Sequence, residues 1–175
     1  MEKVNSGISE RDFIPTVKYG GGKLLFWGCF GAYGVGKIIR IEGIMNANHY
    51  IDIIKSGYLT SLKQWKKTVR TTIFMQDNDP KHKAKVTMEF FKSKKFQILE
   101  WPAQSPDLNP IENLWSILKR RLYNYQTRPR NLDEQWERVQ DVWNSISREQ
   151  CNKLIESMPN RIQAVIKSKG GYTKY

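Results

Sequence analysis

Alternating and helical spacings of apolar residues divide this 175-residue chain into a strand-rich first part and a helical end. "KLLFWGCF" (23–30) and "KIIRIEG" (37–43) are apolar, aromatic and β-branched runs flanking the glycine-rich "GAYGVG", which predicts a hairpin. In residues 46–65, Tyr50, Ile53, Ile54, Tyr58 and Leu62 fall near helical spacing, with Gly57 as the point of weakness. "TTIFMQ" (71–76) and "FQILEW" (96–101) read as short buried strands. Between them Asp79 and Pro80 have the chemistry of an N-cap and a first helical residue, and the helix that follows is expected to bury Val86, Phe90 and Phe91.

After a proline segment, Ile111, Leu114, Trp115, Leu118 and Leu122 lie on one helical stripe. Leu132, Trp136, Val139, Trp143 and Ile146 mark a second amphipathic helix. Ser147 and Gln150 form a capping box for a third, with Cys151, Leu154, Ile155 and Met158 beneath it. Pro159 interrupts, Ile162, Val165 and Ile166 resume, and Gly170-Gly171 supply a C-cap. The order is strand, strand, helix, strand, helix, strand, helix, then more helices, so the fold class is mixed α/β with a helical extension. The expected organisation is a polar, mobile lead-in (1–22), an α/β domain (23–125) and a helical extension of it (126–175).

Charge changes this picture. The chain holds 29 Lys+Arg against 17 Asp+Glu, a net charge of +12, which favours a polyanionic partner such as nucleic acid. The excess falls in two regions, net +6 over residues 61–100 and net +6 over 113–175. Cys29 and Cys151 have no disulfide-framework or zinc spacing and suit small buried apolar roles. The polar, acid-bearing start does not read as a signal or transit peptide, and the longest apolar run, 24–30, is too short to span a bilayer. "GAYGVGKI" (31–38) nearly matches a phosphate-binding loop, but Ile38 replaces the magnesium-ligating hydroxyl and the following segment is β-like. A nucleotide cofactor is therefore not expected.

Two carboxylates stand out. Asp77 follows a strand and Glu112 opens a helix, positions from which acids can converge on a cleft and hold Mg²⁺ or Mn²⁺. Each also has a plain structural reading. Asp77 suits the start of the turn "DNDP", and Asn109, Pro110 and Glu112 have the spacing of a capping box, whose cap contributes about 0.5–2 kcal/mol. Spacing alone favours the structural readings.

The longer blocks point elsewhere. "MQDNDPKH" (75–82) followed by "WPAQSPDLNPIENLW" (101–115) resembles the catalytic core of Tc/mariner-superfamily DDE transposases, and the resemblance extends over residues 15–30, 34–54 and 157–175. It implies a ribonuclease-H-like mixed sheet flanked by helices. It also implies that Asp77 and Glu112 are the second and third catalytic and metal-binding carboxylates. Two Mg²⁺ or Mn²⁺ ions, DNA as partner, a homodimer in a synaptic complex, metal-dependent cleavage and strand transfer, and a nuclear location follow from the same likeness. Lys81, His82, Lys119, Arg120 and Arg121 are the candidate DNA contacts.

The family's first catalytic Asp lies on the first strand, in an apolar-Ser-Asp-Glu block, and nothing before Pro15 here resembles that block. Asp12, Glu42 and Asp52 do not match its context. The expectation is a sheet without its first strand and a chain that alone does not transpose DNA. The alternatives are a DNA-binding protein without chemistry and a non-functional transposon relic.

Overall fold

The computed structural model describes residues 16–19, 22–102, 105–169 and 173. Strands β1 (Thr16–Tyr19), β2 (Gly22–Gly31) and β3 (Gly34–Ile41) form an antiparallel sheet in the order β1-β2-β3. The predicted hairpin is β2–β3, turning on Ala32 and Tyr33, with an irregularity in register between Gly28 and Phe30. β1 corrects the expected lead-in: residues 16–19 pair with β2 (Thr16↔Leu25, Tyr19↔Gly22), while residues 1–15 lie outside the described residues. The C-cap expected at Gly170-Gly171 lies outside them too.

Helix α1 (Ala47–Ile53) runs through a π-helical turn (Ile54–Tyr58) into α2 (Leu59–Gln64). Gly57 does not break this helix. It lies in the π turn against β2, where an added Cβ would stand 2.4 Å from a ring carbon of Trp27. β4 (Ile73–Phe74) and β5 (Gln97–Ile98) pair in parallel and are shorter than the apolar runs suggest.

The helix expected between them is two helices, α3 (Pro80–Lys83) and α4 (Lys85–Lys94), parted at Ala84, whose backbone is extended (φ −55°, ψ 144°). That break rotates the buried face: Thr87 and Phe91 are buried and Val86 is exposed. Thr87 Oγ donates to the Lys81 carbonyl at 2.8 Å, so the hydroxyl is satisfied inside.

A 3₁₀ turn (Pro106–Leu108) precedes α5 (Ile111–Tyr123), followed by α6 (Leu132–Asn144), α7 (Arg148–Glu156) and α8 (Met158–Lys167). The α5 stripe is as predicted, with Leu114, Trp115 and Leu118 buried, and the Ser147–Gln150 capping box opens α7. In α8 the expectation fails: Ile162 and Ile166 are exposed, and Arg161 is the buried residue.

β2 lies between two apolar layers, as an alternating strand buried on both faces must. Leu24 and Phe26 join Leu114, Trp115, Leu118, Val139 and Trp143 on the α5–α6 side. Cys29 joins Tyr50, Ile54, Leu62, Phe74 and Phe91 on the α1–α2 side. Gly28 is where the first layer closes on the strand, since a Cβ there would meet the Trp115 ring at 2.8 Å. The helical extension is therefore part of one core, because Val139, Trp143 and Cys151 sit in the same cluster as β2. What departs from a single mixed sheet is the split: among the described residues no strand joins β1–β2–β3 to β4–β5.

Candidate active site

Asp77 is placed by what surrounds Phe74. That ring is buried among Tyr58, Phe91 and Phe96, with centroids 4.6, 5.5 and 5.6 Å away, so the chain leaving β4 has a fixed origin. Three residues on, Asp77 Oδ1 accepts from the Asp79 amide at 3.2 Å and lies 2.6 Å from His82 Nδ1. Asp79 caps α3, accepting from the Lys81 amide at 3.0 Å, and its other oxygen holds the Lys81 ammonium. The His82 ring lies on Tyr50, with centroids 4.0 Å apart. Tyr50 donates to Gln76 Oε1 at 2.7 Å, and Asn78 donates to the Trp101 carbonyl at 2.7 Å, tying the turn to the segment before α5. Both partners of the Asp77 carboxylate fall on Oδ1, which leaves Oδ2 for the cavity that Asp77 lines.

Glu112 lines the same cavity. The capping box expected of it does not form: α5 begins at Ile111 with Pro110 before it, and no side chain caps the helix. Asn109 instead ends the 3₁₀ turn, and its Oδ1 is buried without a hydrogen-bond partner beside the cavity. The Glu112 carboxylate thus makes no capping bond to its own helix.

The first turn of α5 is held from behind by Arg161, 2% exposed, which donates to the Asp107 carbonyl (2.9 Å), Asn113 Oδ1 (2.7 Å) and Ser157 Oγ (2.8 Å). A lone arginine in an amphipathic stretch reads as exposed, so the sequence offered no sign of this clamp.

The two carboxylates differ electrostatically. Burial works against ionisation of Asp77, but the hydrogen bond and charge of His82 and the Asp79 amide outweigh it and hold the carboxyl below 3.8. Burial pushes Glu112 up to about 7; Lys119 pulls it down and the Asp77 charge pushes it further up. One ionised acid beside one that burial holds partly protonated near pH 7, both facing one cavity, is an arrangement that a cation would relieve. The donors are oxygen throughout, suiting a hard divalent ion, and the orphaned Asn109 carbonyl adds a third oxygen in need of a partner. The set fits such an ion in kind. Among the described residues, however, no group of three or more His, Cys, Asp or Glu side chains has the geometry to hold a metal ion.

Of the candidate DNA contacts, the structure separates two groups. Lys119 and Arg120 are exposed on α5. Lys81 is spent on Asp79, and Arg121 donates to Ser145 Oγ (2.8 Å) and Gln150 Oε1 (3.1 Å), bracing α5 against the α6–α7 corner. His82 is turned inward onto Asp77 and Tyr50, with Nε2 buried as well, so it supports a carboxylate rather than a phosphate.

Residues 30–134, which contain both carboxylates, match the family described as DDE superfamily endonuclease. The chain belongs to the DDE superfamily endonucleases.

Among relatives of this family, the Tc1 transposase of Caenorhabditis elegans is 41% identical over 174 residues, covering 98% of this chain and 62% of the relative. The Tcb2 transposase of Caenorhabditis briggsae is 39% identical, covering 93% of this chain and 58% of the relative. The chain thus spans about 60% of the length of these relatives. The fold is that of the Mos1 mariner transposase catalytic domain, ribonuclease-H-like, with a TM-score of 0.78 at 19% identity over 91% of this chain and 80% of that one. A Mos1 paired-end complex with Mn superposes with a TM-score of 0.79 at 18% identity, over 99% of this chain and 51% of that one. Mos1 catalytic-domain structures have been solved with Mg and with Mn, and a Mos1 paired-end complex with the left transposon end. Among the described residues no helix is long and apolar enough to cross a membrane.

Proposed function

We propose that Asp77 and Glu112 are the second and third carboxylates of a transposase site that cleaves DNA and transfers its strands. The observation that carries this reading is their convergence on one cavity, with Asp77 held ionised and Glu112 left uncapped. Asp77 Oδ2 and the Glu112 carboxylate would hold Mg²⁺ or Mn²⁺, two ions in the complete site. When bound, the metal activates the attacking water or hydroxyl and stabilises the leaving oxygen at phosphorus.

The chain's own residues do the positioning. His82 fixes the rotation of Asp77 and leaves one oxygen outward. Arg161 fixes the start of α5 and with it the direction of Glu112. Lys119 and Arg120 lie on the same helix, exposed and placed to neutralise phosphates of a DNA strand. The substrate is transposon-end DNA, the working form a pair of chains, and the compartment the nucleus. Among the described residues this reading supplies two of the site's three carboxylates, and on it the chain by itself does not cut DNA.

Calorimetric titration with Mn²⁺ at pH 8 tests the site. Wild type binds, and Asp77→Asn and Glu112→Gln each weaken binding at least tenfold; unchanged affinity in either variant overturns the assignment. Plasmid nicking by the wild-type chain alone, abolished by either substitution, overturns the two-of-three reading instead.

A further inference from the structure

The outward side of α5 carries more than Glu112. The apolar stripe of this helix, Ile111, Leu114, Trp115, Leu118 and Leu122, packs into the layer against β2. Ser116, Lys119 and Tyr123 follow Glu112 by four, seven and eleven residues. At about 3.6 residues per turn, these four side chains leave the helix within about 60° of one another, away from that stripe. Ser116 and Lys119 are exposed, and Tyr123 is 90% exposed. The row is therefore a carboxylate, a small hydroxyl, a cation and an aromatic ring, in that order. Lys119 pulls the Glu112 pKa down, so its charge is felt at the start of the row. Ser116 Oγ turns back to donate to the Glu112 carbonyl at 3.0 Å, which leaves no bulk between the acid and the cation.

The end of the row is held firmly. Leu122 packs against the core just before Tyr123. Just after it, Tyr125 is covered by the Arg138 guanidinium at 4.6 Å, and Arg138 is itself bonded to Thr127 Oγ1 (3.2 Å) and Glu134 (2.7 Å). The Tyr123 backbone is thus fixed from both directions while its ring stands in solvent. One exposed apolar residue needs no explanation by itself. A tyrosine in line with an acid and a cation is different, because a rigid ring with two torsions offers a large flat contact at little cost in entropy.

We propose that Tyr123 is a stacking platform for an unpaired base of the DNA strand that α5 guides to Glu112. The spacing has the scale of such a strand. The helix rises about 1.5 Å per residue, which puts Lys119 about 10 Å and Tyr123 about 16 Å beyond Glu112. A stacked strand advances about 3.4 Å per nucleotide. With a phosphate at the carboxylates, Lys119 meets the backbone about three nucleotides away and Tyr123 a base about five nucleotides away. A base inside a duplex already has neighbours on both faces, so a ring from outside reaches it only when it is extruded or single-stranded. The inference rests on the reading of Glu112 as a site carboxylate. It adds the form of DNA that this face takes, a strand opened a few nucleotides from the reacting phosphate.

The test uses the full 175-residue protein without divalent ions, and fluorescence anisotropy of a fluorescein-labelled DNA single strand and of its fully paired duplex. Tyr123→Ala weakens binding to the single strand about tenfold, as loss of one stacked base does, and leaves binding to the duplex unchanged. Tyr123→Phe keeps the ring and retains wild-type affinity. Tyr123→Ala also keeps the wild-type slope of log K against log salt, because no charge is lost, whereas Lys119→Ala lowers it by about 0.7. At a position this exposed, Tm is the same in all three Tyr123 proteins. Three results overturn the proposal: wild-type affinity of Tyr123→Ala for the single strand, Tyr123→Phe binding as weakly as Tyr123→Ala, or an equal loss on the duplex. The second would make the contact a hydroxyl hydrogen bond, and the third would make the strand a paired one. Failure of the Mn²⁺ titration with these results intact removes the metal assignment and leaves a DNA-binding face. Normal Mn²⁺ binding with an inert Tyr123→Ala removes the platform alone.

Discussion

Glu112→Gln is expected to stabilise the protein at pH 8. The carboxyl is partly buried beside ionised Asp77, and its folded pKa is about 7 against an ordinary value of 4.5. Between these values the unfolded chain has already released the proton that the folded one keeps. The folded state then binds more protons than the unfolded one, and stability falls as pH rises from about 4.5 to about 7. At about 1.4 kcal/mol per tenfold change in proton affinity, the ceiling on this loss is about 3.4 kcal/mol. Solvent screening of a half-exposed group brings it to about 2 kcal/mol. Glutamine keeps the shape and never ionises, so the variant recovers this amount above pH 7.5 and none at pH 4.5. For a domain of this size that is a rise in Tm of about 4–8 °C. Thermal melts of both proteins followed by circular dichroism at pH 4.5 and pH 8, without divalent ions, read it directly. A difference in Tm that is independent of pH, or a variant less stable than wild type at pH 8, refutes the placement of Glu112 as an uncapped, desolvated carboxylate. A residue whose removal strengthens the fold is one retained for chemistry rather than for folding.

His82→Ala removes the 2.6 Å contact that orients Asp77 and should weaken Mn²⁺ binding by about 10–100-fold in calorimetry. Gly57→Ala forces a methyl group to within 2.4 Å of the Trp27 ring and should lower stability to urea by about 2 kcal/mol. Arg161→Met strips partners from the part-buried Asp107 carbonyl and Asn113 side chain, a loss of about 3 kcal/mol in the same assay. If Lys119 and Arg120 contact phosphates, the double alanine variant should flatten the slope of log K against log salt by about 2. Arg121→Ala should instead leave that slope unchanged and lower Tm, because its guanidinium is already bonded to Ser145 and Gln150.

Much of the architecture is local in origin and was legible for that reason. The β2–β3 hairpin, the Leu114–Trp115–Leu118 stripe of α5 and the Ser147–Gln150 cap each depend on residues within one or two turns of one another. The carboxylate pair was legible only through the family resemblance, since its spacing also fits a turn and a cap.

Tertiary structure decided the rest. Glu112 has the spacing of a capping residue, yet α5 starts at Ile111 and Asn109 ends the preceding 3₁₀ turn, so the expected box is absent. Arg161 is buried because Asp107, Asn113 and Ser157 converge on it. Lys81 and Arg121 look like free cations in the sequence, but each has its partner within the fold. Periodicity and capping determine which elements form, through forces acting within a few residues. The partner of each polar side chain is determined by the surfaces that packing brings together, and no local pattern encodes that.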